Sequence, residues 1–80
     1  MKVSKSHEDY LEAIVELGGS TEQAVRSVDI AKKMGLSANK VGSYRKRLID
    51  AGLIEPAGYG CVSFAIPYMR DYLLETVRED

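Results

Sequence analysis

The chain has 80 residues, 45% hydrophobic and 29% charged, with a formal net charge of −1. Such a composition describes one small folded domain, burying roughly 60–65% of its unfolded surface, and excludes disorder and a broadly basic nucleic-acid binder. The single cysteine, Cys61, excludes an internal disulfide, and no leader or long apolar run is present, so the expected location is cytoplasmic with no membrane partner.

"SHEDYLEAIVEL" (Ser6–Leu17) predicts a helix with Tyr10, Leu11, Ile14, Val15 and Leu17 on one side. Ser6 takes its N-cap, and Glu8 and Asp9 suit the positive end of the dipole. "GGSTEQ" (Gly18–Gln23) is a loop, and Ala24–Arg26 a very short strand. Ser27 caps a helix of about two turns that stops at Gly35, with Val28, Ile30, Ala31 and Met34 as its apolar positions. Ser37 caps the next helix, which runs to about Ala51 before Gly52 terminates it.

Leu53–Glu55 and Cys61–Ile66 follow as two strands, with Pro56–Gly60 supplying the turn between them. Val62, Phe64 and Ile66 alternate to one face. Pro67 opens a last helix with Met69, Tyr72, Leu73 and Val77 as its buried stripe. The expected fold is mainly α with a small antiparallel β-hairpin, laid out as a winged helix-turn-helix in one domain, 1–80.

Spacing supports that layout. Counted from Ser27, the twenty-residue helix-turn-helix pattern places a small residue fifth, glycine ninth, and apolar residues fifteenth and eighteenth. Ala31, Gly35, Val41 and Tyr44 stand there. Ala31 allows a close helix crossing, Gly35 takes a left-handed turn, and Val41 and Tyr44 plug the crossing.

On a wheel at about 100° per residue, Val41, Tyr44, Leu48 and Ala51 of the second helix face the core. Asn39, Ser43 and Lys46 lie opposite, flanked by Gly42 and Arg47. In a major groove Asn pairs with adenine and Lys with guanine, while Lys40 and Arg47 suit phosphates. The alternative is a solvated helix face. Arg45 lies nearer the core arc, where its stem packs and its head reaches water. From Leu36 to Gly60, four cations stand against two acids, a local net of +2.

Tyr59 in the wing suits a sugar–phosphate contact and a partner-protein contact equally, since the wing contains no Lys or Arg. The candidate DNA-contact set is Ser37, Asn39, Lys40, Gly42, Ser43, Lys46, Arg47 and Tyr59. His7, Glu8, Asp9 and Glu12 read as a solvated helix start, and Cys61 as a small hydrophobe. No nucleophile–base pair, phosphate loop or metal triad stands out, so no enzyme, metal or cofactor is expected.

"HEDYLEAIVEL" with "VRSVDIAKKMGLS" resembles the DNA-binding domain of the DtxR-like metal-dependent repressors. That resemblance implies transcription regulation, with metal ligands in the manganese branch at the acids matching Asp9 and Glu12. The remaining ligands of that family lie in a downstream dimerisation domain that has no counterpart here. The stretch from Ser37 to Glu75, "SANKVGSYRKRLIDAGLIEPAGYGCVSFAIPYMRDYLLE", resembles the C-terminal winged-helix domain of prokaryotic P-loop (AAA-type) ATPases.

The second resemblance implies one domain of a larger ATPase, docking on its own ATPase or another protein. Two functions therefore stand side by side. One is duplex DNA binding through the helix 37–51, weak for an isolated monomer. The other is a non-enzymatic regulatory or protein-interaction role at the end of an ATPase.

Overall fold

A computed structural model describes residues 5–67 of the chain. Helix α1 (Lys5–Glu16) buries Tyr10, Leu11, Ala13 and Ile14. Ser6 lies inside it rather than at its cap, because the helix already includes Lys5. Leu17 falls beyond the last turn and is exposed, while Val15 is half-buried. The Ser20 hydroxyl accepts from the Glu22 and Gln23 amides at 3.2 and 3.0 Å, fixing the loop that follows.

Strand β1 (Val25–Arg26) leads directly into α2 (Ser27–Met34). Arg26, extended at φ −81° and ψ 139°, occupies the N-cap, so Ser27 is the first helical residue and not the cap. Its hydroxyl is buried. Ile30 is the fully buried residue of α2; Val28 is exposed, and Ala31 and Met34 pack half-buried on the core.

Gly35, at φ +68°, ends α2. Its N–H donates to the Lys32 carbonyl and that of Leu36 to the Ala31 carbonyl, satisfying the last turn as a left-handed residue allows. The chain re-enters a helix at Ala38, after the three-residue connection Gly35, Leu36 and Ser37.

Helix α3 (Ala38–Asp50) is capped as the sequence predicts: Ser37 Oγ accepts from the Lys40 amide at 3.3 Å. Val41 and Leu48 are its buried residues, with Tyr44, Arg45 and Ile49 half-buried beside them. Ala51, expected to face the core, is exposed at the C-cap, where α3 has already ended. Gly52, at φ +78°, turns the chain so that the Leu53 amide reaches back to the Leu48 carbonyl at 3.0 Å.

Strands β2 (Ile54–Pro56) and β3 (Cys61–Phe64) form the expected hairpin, with Ile54 opposite Phe64 and Pro56 opposite Val62. Cys61 is half-buried. β1 adds to its far side, with Val25 opposite Val62 and Arg26 opposite Cys61, so the sheet has three antiparallel strands in the order β1-β3-β2. Val62, Ser63 and Phe64 are all buried, where simple alternation would expose Ser63.

The result is mainly α with a small antiparallel sheet. Tyr10, Ile14, Ile30, Val41, Leu48, Ile54, Val62 and Phe64 draw the three helices and the sheet into one core. Each such side chain contributes about 1.5–3 kcal/mol by its removal from water. The expected last helix, with Met69, Tyr72, Leu73 and Val77, lies outside the described residues.

Candidate nucleic-acid interface

Burial of Val41 and Leu48 fixes the rotation of α3 and thereby decides which residues face outward. Asn39, Lys40, Gly42, Ser43, Lys46 and Arg47 are all exposed. Asn39, Gly42, Ser43 and Lys46 share the outward arc, and Lys40 and Arg47 lie along one edge. Ser37 is exposed, but its hydroxyl is already engaged in capping. Tyr59 is fully exposed on a separate element, the turn between β2 and β3, held between Gly58 at φ +89° and Gly60 at φ +72°.

Charge is divided between the helices. α3 carries Lys40, Arg45, Lys46 and Arg47 against Asp50, a net of +3. α1 carries Glu8, Asp9, Glu12 and Glu16 against Lys5, a net of −3. Among the described residues, Lys5, Arg26 and Lys33 are ion-paired, to Asp9, Asp29 and Glu16 at 3.4, 2.9 and 3.1 Å. None of the four cations of α3 is ion-paired to a described residue.

The acids of α1 border an open groove of about 260 Å³ between α1 and α2, lined by Asp9, Glu12, Ala13, Glu16, Lys33 and Met34. Burial holds the Glu12 carboxyl above its ordinary range; Lys5 opposes this, and Glu8, Asp9 and Glu16 add to it. Asp9 is engaged by Lys5. Among the described residues, no group of three or more His, Cys, Asp or Glu is placed to hold a metal ion.

Two residues take roles that the sequence reading missed. His7, read as part of a solvated helix start, is half-buried with its ring edge-on to Tyr44 at 5.2 Å and 86°. Tyr44 therefore meets α1 as well as lying beside the α2–α3 turn. The signal was present, since His7 precedes Tyr10 and Leu11 by three and four residues and so shares their side of the helix. Lys32 on α2 is a further exposed cation with no ion pair among the described residues, outside the locally basic stretch Leu36–Gly60.

Fold and surface together define a small helical domain with one basic helix whose cations make no ion pair to a described residue. Over residues 1–73 the chain matches the family described as a domain of unknown function, DUF8462, and it belongs to that family. No curated protein and no solved structure matches it. Among the described residues no helix is long and apolar enough to cross a membrane.

Proposed function

We propose that this domain is a non-catalytic winged helix-turn-helix that binds duplex DNA by laying α3 in the major groove. The observation that carries the reading is the charge on α3, a net +3 with no ion pair to a described residue, while three cations elsewhere among the described residues are paired. In this reading Asn39, Ser43 and Lys46 meet base edges, and Lys40 and Arg47 meet phosphates. The order of elements supports it too: two helices across a three-residue turn, then a hairpin in the position a wing would take.

The test is titration of labelled duplex DNA with the wild-type chain and with Lys46→Ala plus Arg47→Ala. With two phosphates neutralised, wild-type affinity falls roughly tenfold between about 50 and about 200 mM salt. The double variant binds more weakly and with a shallower salt slope. Absence of salt-dependent binding even at low ionic strength removes the DNA reading.

A second reading is favoured by the turn itself. Pro56–Gly60 contains no cation, and Tyr59 stands out of it completely. Such a residue suits a protein contact, as in a regulatory domain at the end of a P-loop ATPase. Under that reading Tyr59→Ala, in an exposed turn, abolishes partner binding while leaving the melting temperature unchanged.

A further inference from the structure

Among the described residues, nothing in the fold requires a glycine at position 42. Of the seven glycines, Gly18, Gly35, Gly52, Gly58 and Gly60 adopt positive φ, which favours glycine. Gly19 is walled in: an added Cβ would collide with the Ile14 side chain and sit 3.0 Å from the Ile14 carbonyl oxygen. Gly42 is different. It is helical and exposed, with no positive φ, and an added Cβ would meet nothing within 4 Å. Alanine would fit there and would favour the helix.

The surroundings of Gly42 say what would use the space. Four residues before it stands Ala38 and three before it Asn39, both exposed and short. Lys46, four residues after it, and Arg45, three after it, edge the same arc, and neither is ion-paired to a described residue. Among the described residues, the α3 backbone is thus approachable along a shallow strip bordered by cations that none of them pairs. A polyanion with a regular backbone complements that strip; a neutral or acidic-edged helix does not.

We propose that Gly42 is the close-approach point at which the α3 backbone rests against the sugar–phosphate backbone of duplex DNA, making it a positioning residue for the whole helix. This rests on the DNA reading and adds to it a steric condition: the depth of α3 in the groove is set by the missing Cβ. Gly42→Ala lifts the helix outward and loosens the contacts of Asn39, Ser43 and Lys46 together. No charge is lost, so the salt slope stays as in wild type while affinity falls at every salt concentration.

The experiment compares the wild-type chain, Gly42→Ala and Gly42→Leu by thermal melting and by labelled-duplex titration across a salt series. Expected are a Gly42→Ala melting temperature higher by about 2–8 °C, affinity lower by about tenfold or more, an unchanged salt slope, and a larger loss for Gly42→Leu. Wild-type-like affinity in Gly42→Ala overturns the proposal and leaves the DNA reading standing. A lower melting temperature also overturns it, since the glycine would then serve the fold. If the wild type itself shows no salt-dependent binding, the DNA reading fails and this inference fails with it. Should a protein then be found that binds the wild type and not Gly42→Ala, a partner helix is the occupant, and the DNA assignment is overturned.

Discussion

Gly19 and Gly42 show how differently one residue type can be constrained. Gly19 is buried where the chain leaves α1, its amide donating to the Ile14 carbonyl at 2.8 Å, so close that Ile14 and Val25 leave no room for a methyl group. Gly19→Ala therefore overpacks the junction and lowers stability by about 1–3 kcal/mol, read as a shift of the denaturant midpoint at unchanged slope. Helix-ending glycines such as Gly35 and Gly52 were legible in the sequence because their signal is local: an apolar-periodic segment stops and a glycine follows. Gly19 carries no such signal. Its constraint comes first from Ile14, whose side chain and carbonyl lie against it, and then from Val25 across the loop, and only the folded chain reveals it.

At the scale of the element, α3 is the part that the sequence defines best. Ser37 before it and Gly52 after it place both ends within a residue of where they lie, and the spacing of Val41, Tyr44 and Leu48 gives its rotation. Ser37→Ala removes the hydroxyl that accepts from the Lys40 amide and costs about 1 kcal/mol; chemical denaturation measures the loss, and circular dichroism of the variant shows whether the first turn frays. The outward face of the candidate interface follows from that rotation, so Asn39, Ser43 and Lys46 were legible as well. The short strand itself was expected at Ala24–Arg26; what was not legible is its partner. Two residues are too few to show alternation, and their pairing with Val62 and Cys61 joins distant parts of the chain. The same pairing defeats the capping rule at Ser27. Arg26 is held extended by the sheet up to the first turn of α2, so the cap position falls on the strand residue and the serine hydroxyl turns inward.

Over the whole molecule, Tyr10 gives a readout of integrity. It is fully buried, and burial pushes its phenol up to about 12, with Arg45 and the Ser27 hydroxyl opposing. The two hydroxyls lie inside the domain without a well-formed hydrogen bond to a described residue, near enough for Ser27 to favour the phenolate only slightly. An unfolded tyrosine loses its proton near pH 10. Between there and about 12 the folded state keeps a proton that the unfolded state has lost. The resulting stability is complete below about pH 10 and disappears as pH rises through the folded value, on the order of 2 kcal/mol in all. Tyr10→Phe removes that component, so denaturation midpoints of variant and wild type diverge above about pH 10 and run parallel below it. The unequal charges of α1 and α3 carry a different consequence. The acids of α1 border a groove to which α3 contributes no residue, and the described part of the domain extends 31 Å along its longest axis. At physiological salt, fields fade over about 8 Å, so a phosphate against α3 feels the cations of that helix more strongly than acids facing a groove that α3 does not line. Total charge is then a poor guide to whether this domain approaches a polyanion. A duplex exerts a torque on the separated charges before it exerts any net pull, and encounters begin already oriented.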